Sequence, residues 1–335
     1  MAMRALEAEL DSLRSHWRTA LLSADAALHA GGGFLTPAQS HDLRKHLQDE
    51  YAPTAALLRA FARDEGIPPE LAEPFLPRVL ARRLLRLPPE VAGCVFDLED
   101  VLVGSAGLHL AAWQRTFSEL LTPRLEATYR RFMPPFDPRT DYPQHLQGRT
   151  RLDGVRAFLA GRGIRLPEGS PGDPPGTETV HGIANRKHEL FGRYFEERGA
   201  FAFEGSRHYL ELARDAGVKS AVVSASAHTE EILEHAGLAD LVDAVVDAEE
   251  IVARELQGRP QPDRLLAACR ALRLEPARAA VFESSGPGVE AGRAAGFRLV
   301  VAIDPDEHPA HVRELRREGA DVATPGLAAL LLRSA

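Results

Sequence analysis

Cysteine is nearly absent from this chain: Cys94 and Cys269 are the only two in 335 residues. Both stand among apolar neighbours, which predicts buried thiols rather than a disulfide framework or a thiolate metal site, and a reducing, cytoplasmic setting. Long apolar runs are missing too. No uninterrupted stretch reaches the ~20 residues needed to cross a bilayer. The N-terminus has no apolar core followed by a small-residue cleavage site. A soluble protein with no membrane partner is expected. Positive charge is not in excess either. With 48 acidic against 40 basic side chains the formal net charge is -8, which argues against a nucleic-acid backbone as the main partner. Internal repeats and low-complexity tracts are lacking as well. Apolar residues are plentiful, at 44%, enough at this length for roughly two or three folded units.

The first part of the chain has helical periodicity. Leu6, Leu10, Leu13, Trp17 and Leu21 recur on one helical face, which ends at Gly31-Gly32-Gly33. Thr36-Pro37-Ala38-Gln39 then supplies a cap, a proline suited to the first helical position and a capping-box glutamine. Leu43, Leu47, Tyr51, Leu58 and Phe61 continue the apolar face, and Pro88-Pro89 closes the region. Residues 1–90 are therefore expected to form an added all-α domain. No acids, bases or glycines gather there into a site, so its expected role is packing, or homo-oligomer formation through its amphipathic faces.

The pattern changes at Val91, where a short apolar run ends in Asp97 and leads through a loop into a helical stretch with His109 and Trp113. Further short apolar runs follow at Ser220 to Ser224, Asp243 to Asp247, Ala279 to Glu283 and Arg298 to Ile303, separated by amphipathic stretches. This alternation predicts an α/β fold with a Rossmann-like parallel sheet covered on both faces. The long segment between the first run and Glu204 has no such series, but is helical in pattern around Tyr129, Val155 to Leu159 and Ala184 to Phe195. It predicts an inserted α-helical cap. The expected division is a helical domain at 1–90, a core at 91–107 and 205–335, and a cap at 108–204.

Ligands of a parallel sheet bind outside the carboxyl ends of its strands. Here those ends carry Asp97-Leu98-Glu99-Asp100, Ser224-Ala225-Ser226 and Glu283-Ser284-Ser285, with Gly258-Arg259-Pro260 in a strand-to-helix connection. One carboxylate to attack phosphorus, with a cation and hydroxyls to hold its oxygens, would suit phosphoryl transfer. Plainer readings stand beside this one. Asp97 could cap a helix, Glu99 and Asp100 could be solvated loop acids, and Arg259 a surface cation. Glu283 could be a buried structural acid and Trp113 simple core packing. Ser224 and Ser226 could cap the next helix, a role compatible with binding phosphate at that same helix end.

Taken in order, these segments resemble the haloacid dehalogenase superfamily, and more closely its beta-phosphoglucomutase-like branch, over about Val91 to Ile303. The first strand of that branch normally ends Phe-Asp-x-Asp-Gly-Val-Leu, and this chain reads Phe96-Asp97-Leu98-Glu99-Asp100-Val101-Leu102. The resemblance implies that Asp97 is the nucleophile and Glu99 the general acid and base, with Arg259 in the place of the family's lysine. Ser105, His109 and Trp113 fall where the family has a hydroxyl residue, His and Trp. Gln147-Gly148-Arg149-Thr150-Arg151 resembles the substrate-contact loop, and Arg186-Lys187-His188 an Arg-Lys-Asn stretch, which would bring Gly148, Arg151 and Lys187 to a sugar phosphate. Ser224-Ala225-Ser226 matches the second core motif, and Val289-Glu290-Ala291-Gly292 through Gly296 the helix after the fourth.

The activity so implied is a magnesium-dependent phosphatase or phosphomutase acting on a sugar phosphate through an aspartyl-phosphate, with magnesium at Asp97, Glu99, Glu283 and Ser284. The departures fall within the chemistry. Glu99 is one methylene longer than the usual Asp, and Asp100 replaces a glycine that permits a tight loop. Arg259 keeps the charge of the lysine but not its compact ammonium. Ser284 stands where an aspartate is usual, which predicts weak magnesium binding. The alternative reading is a noncatalytic or weakly active protein of the same fold, serving as a binding or assembly module.

Overall fold

The computed structural model describes residues 81, 85 and 87–332, apart from 122, 131 and 306–308. The helical domain expected at 1–90 thus lies outside the described residues, save for its last few positions. Of these, Ala81, Leu85 and Leu87 are buried in the core cluster, and the Leu85 carbonyl accepts a hydrogen bond from Tyr209 Oη at 3.4 Å.

Six parallel strands form the sheet: β1 (Gly93–Asp97), β2 (Lys219–Val223), β3 (Ala244–Val246), β4 (Ala279–Glu283), β5 (Leu299–Ile303) and β6 (Val322–Thr324), in the order β3-β2-β1-β4-β5-β6. All residues of β1 and β4 are buried. Both faces of the sheet are covered, so the central strands read as continuous apolar runs rather than alternating ones. Successive side chains still point to opposite faces. Phe96 stacks on Phe282 at 4.6 Å between ring centroids and meets Tyr209 edge-on, whereas Val95 joins Val281 and Val300 in the cluster on the other face. β6 has no counterpart among the strands expected from sequence. It is a short edge strand, Val322–Thr324, entered directly from the preceding helix.

Helices α1 (Ala106–Leu120), α2 (Pro123–Tyr129), α3 (Arg151–Gly161) and α4 (Val180–Arg198) build the cap, with a π-helical turn at Tyr142–Leu146. Thr150 and Thr179 cap α3 and α4 through their side chains, accepting from the backbone N–H groups of Asp153 and Gly182. The cap has a hydrophobic cluster of its own, in which Phe117 stacks on Phe158 at 3.7 Å and on Trp113 at 5.3 Å. Two adjacent crossings join cap to core, where Gly104 N donates to Phe201 O and Phe203 N to Leu102 O, each at 3.0 Å. A Cβ at Gly104 would lie 2.2 Å from the partly exposed Phe201 ring, which would have to turn aside to admit it. The core is completed by α5 (Glu204–Asp215), α6 (Thr229–His235), α7 (Ala248–Ala253), α8 (Asp263–Leu272), α9 (Gly286–Ala295), α10 (Pro309–Glu318) and α11 (Leu327–Leu332). Among the described residues no helix is long and apolar enough to cross a membrane.

The chain leaves β1 towards β2 on one side and leaves the neighbouring β4 towards β5 on the other, so connections from these two adjacent strands run in opposite directions. The sheet opens a crevice at such a switch point. Asp97 is the residue that stands there.

Candidate active site

Asp97 ends β1 with only 5% of its surface exposed. Its Oδ1 accepts a hydrogen bond from Leu98 N at 3.0 Å and lies 3.0 Å from Arg259 Nη2, while Ser284 Oγ donates to Oδ2 at 3.3 Å. Burial raises the Asp97 carboxyl pKa, and the Arg259 charge opposes that rise. The same Arg259 nitrogen donates to Glu283 Oε1 at 2.9 Å and lies 2.8 Å from Oε2. Arg259 is thus a bridge between the ends of β1 and β4. Burial alone would lower its pKa, but Asp97 and Glu283 together hold it above its ordinary value. Glu283 is fully buried, and burial pushes its carboxyl up to about 8 against the pull of Arg259. Room for it comes from Gly288, in the first turn of α9, where a Cβ would lie 2.2 Å from Glu283 Oε2.

The loop after β1 turns through Asp100, whose φ of 62° is left-handed. The turn that the family makes with glycine is therefore kept, with an aspartate in it. Glu99 extends from this loop towards both domains: Ser224 Oγ donates to it at 3.4–3.5 Å, and His109 Nε2 lies 3.3 Å from Oε1, in ion-pair range but off a straight hydrogen-bond line. Burial raises the Glu99 carboxyl, but His109 and Arg259 outweigh it and leave the pKa lowered.

Behind His109, Lys187 Nζ approaches Nδ1 to 2.7 Å. While Lys187 is protonated it can only donate, so in that state Nδ1 is the acceptor and the imidazole proton sits on Nε2, facing Glu99. Burial, with Lys187 nearby, takes His109 down to about 4, and burial takes Lys187 down to about 7. The Lys187 ammonium also lies 4.9 Å from the Phe191 ring centroid and 5.4 Å from that of Trp113, so its charge is met by aromatic faces.

A cleft between cap and core, about 820 Å³ including its open mouth, collects most of the residues singled out from sequence. Asp97, Glu99, His109, Gly148, Arg151, Lys187, Ala225, Ser226, Arg259 and Ser284 all line it. Three others do not. Ser224 sits behind the wall, where its Oγ accepts from Ser226 N at 3.1 Å and donates to Glu99. Glu283 lies beneath, held to Arg259. Ser105 is fully buried at the start of α1 with no partner for its hydroxyl, so it offers a substrate nothing in this arrangement.

Some cleft residues escape sequence reasoning. Tyr142 comes from the π-helical turn, and His228 from the loop between β2 and α6, where it stacks on His188 of the cap at 4.4 Å. Arg264 ties α8 to the cap through a 2.9 Å bond from Nη1 to Gly148 O. His228 lies two residues past Ser226, so its place after a loaded strand end was a usable signal. Tyr142 and Arg264 carry no such signal.

The oxygens around Ser284 are those a hard cation would use. Ser284 Oγ lies 3.3 Å from Asp97 Oδ2 and 3.4 Å from the Glu99 carbonyl oxygen. The Glu99 side chain is turned away to His109 and Ser224, and the Glu283 side chain is taken by Arg259, so neither carboxylate belongs to this corner. The set fits magnesium in donor type, all oxygen, but with a single carboxylate. Among the described residues no group of three or more His, Cys, Asp or Glu side chains could hold a metal.

Strand order, switch point and an acidic strand end under a helical cap define a class, and comparison with known proteins names it. The family model for haloacid dehalogenase-like hydrolases matches residues 91–296. Over 258 residues the chain is 44% identical to a beta-phosphoglucomutase of Mycobacterium tuberculosis, spanning 77% of this chain and 98% of that protein. The chain therefore belongs to the haloacid dehalogenase superfamily, in its beta-phosphoglucomutase-like branch. A more distant relative, the validoxylamine A 7'-phosphate phosphatase of Streptomyces hygroscopicus subsp. limoneus, is 26% identical and covers 62% of this chain and 83% of its own. Among solved structures, a beta-phosphoglucomutase from Clostridium difficile superposes with a TM-score of 0.56 at 17% identity, over 71% of this chain and 92% of that one. That last likeness is one of fold.

Proposed function

We propose that this protein transfers the phosphoryl group of a phosphorylated sugar, as a phosphatase or phosphomutase, through an aspartyl-phosphate on Asp97. The observation that supports this most is the Asp97 carboxylate itself: it ends β1 at the switch point, is nearly buried, and is paired with a guanidinium that does not titrate. Relatives named as a beta-phosphoglucomutase and a validoxylamine A 7'-phosphate phosphatase support a substrate of this kind.

In the first half-reaction an Asp97 oxygen bonds to phosphorus as the ester P–O bond breaks, and the leaving oxygen takes a proton from Glu99. In the second, water or a sugar hydroxyl attacks the phospho-aspartate, giving its proton back to Glu99 and freeing Asp97. Between the two steps Glu99 is a carboxylate beside His109 Nε2, ready to accept that proton back. Arg259 neutralises the charge gathering at Asp97, and the side chains of the cap wall, Arg151 and Lys187, would orient the remainder of the substrate. Magnesium, when bound by Asp97, the Glu99 carbonyl and Ser284, would add charge neutralisation on the phosphoryl oxygens.

The direct experiment measures phosphate release from beta-glucose 1-phosphate and its conversion to the 6-phosphate. Turnover by the native chain and none by Asp97→Asn, folded to the same extent, is expected. Equal activity in the two would remove Asp97 from the reaction.

A further inference from the structure

Glu99, His109, Lys187 and Arg259 face the cleft with their polar atoms already engaged by one another or by Asp97 and Glu283. Tyr142 faces it too, and differs from them in this respect. It is half-buried, and its hydroxyl makes no hydrogen bond to any described residue. The backbone beneath it is nonetheless well anchored. Tyr142 begins the π-helical turn, which is closed by a 2.9 Å bond from Gln147 N to Tyr142 O, and Leu146 at the far end of the turn is buried in the cap cluster. Just before it, the buried Asp141 carboxylate accepts from Asp137 N at 2.8 Å and from Arg162, whose Nη1 donates to Pro134 O at 2.8 Å. Turns of this wide kind are rare and often lie at functional sites. A side chain placed in advance loses little further freedom when a ligand arrives.

The surroundings of the hydroxyl decide what it can meet. Burial raises the phenol pKa, and the charges of Glu99, Asp100 and Asp97 raise it further, so the group stays a neutral O–H that can donate one hydrogen bond and accept others. Phosphate oxygens have cations to go to: Arg259 beside Asp97, and Arg149 and Arg151 of the loop that follows the turn, both lining the cleft. A neutral hydroxyl among carboxylates suits instead a neutral, hydroxyl-bearing body attached to the phosphate. We infer that Tyr142 reads the sugar: its hydroxyl bonds a sugar oxygen and makes the cleft favour phosphorylated sugars over phosphate esters without hydroxyls. This rests on the reading of the substrate as a sugar phosphate, and assigns the discrimination to one residue.

The test is calorimetry on the full chain carrying Asp97→Asn, which keeps the ligand intact, with and without Tyr142→Phe. The probes are glucose 6-phosphate, ethyl phosphate and inorganic phosphate. Loss of one neutral hydrogen bond should weaken glucose 6-phosphate about three- to tenfold, while the other two change by less than about twofold and the melting temperature stays the same. An undiminished affinity for glucose 6-phosphate overturns the assignment, because the hydroxyl is then unused. Equal losses for all three probes overturn it as well, because Tyr142 then shapes the cleft without reading the sugar. So does a parent chain that binds glucose 6-phosphate no better than ethyl phosphate. Binding needs no phosphoryl transfer, so the two readings fail separately: a selective loss stands even if Asp97 is never phosphorylated, and phosphorylation of Asp97 stands even if Tyr142→Phe changes nothing.

Discussion

A left-handed backbone at Asp100, with φ of 62°, costs an L-residue about 1–2 kcal/mol relative to the right-handed regions, and less for Asp than for most side chains. Asp100→Gly should therefore raise stability by about 0.5–1 kcal/mol, the gain in native strain being offset partly by the freer unfolded chain. Denaturant unfolding reads this, and a loss of stability would mean that the aspartate side chain earns its place through contacts. Glu99 carries a different expectation. Its contacts with His109 and Ser224 hold a carboxylate where protons must be exchanged, so Glu99→Gln should lower turnover by ~10²–10⁴-fold with little change in folding. An unchanged rate constant would assign the proton transfer elsewhere. Glu99 and Asp97 could be identified from sequence because each lies at or just past the end of a short apolar run. The contacts that decide what they do show no periodicity: Glu99 meets His109 across the turn into α1, and Asp97 meets Arg259 from a distant part of the chain.

At the scale of elements, the link between α1 and α4 has a pH signature. Lys187 of α4 is buried against His109 of α1, and burial takes it from the ordinary 10.5 down to about 7. Between those values the unfolded chain holds the proton and the folded chain does not, so this group makes stability rise with pH from about 7 towards 10.5. Lys187→Met should then be more stable than the native chain below about 7, by up to roughly 5 kcal/mol, with the advantage fading as pH approaches 10.5. Unfolding curves across this range that differ by a constant amount would contradict the burial argument. A second element pair, β4 and α9, meets at Gly288, where a Cβ would come within 2.2 Å of the buried Glu283 carboxylate. Gly288→Ala should cost about 1–3 kcal/mol, measured by chemical denaturation. The strands β1, β2, β4 and β5 were legible as apolar runs because both faces of the sheet are covered. β6 was not, since Val322-Ala323-Thr324 carries a single valine where the equally short β3 carries Val245 and Val246, and the π-helical turn that carries Tyr142 has no sequence period of its own.

Across the whole molecule, the core reaches back beyond the first strand. Ala81, Leu85 and Leu87 are buried in it, and the Leu85 carbonyl accepts from Tyr209 beneath the sheet. Removing residues 1–88 would strip out two buried leucines, worth on the order of 3–6 kcal/mol, and should lower the melting temperature even though every proposed site residue remains. An unchanged melting temperature would show that these contacts add little. The cap and core meet over a cleft whose floor is Asp97, and the proposed chemistry depends on that one carboxylate becoming phosphorylated. Mass spectrometry of the acid-quenched full chain after mixing with beta-glucose 1-phosphate tests this most directly. One phosphate on the peptide that contains Asp97, absent in Asp97→Asn, is the expected result. Labelling on another residue, or turnover that persists in Asp97→Asn, would contradict it.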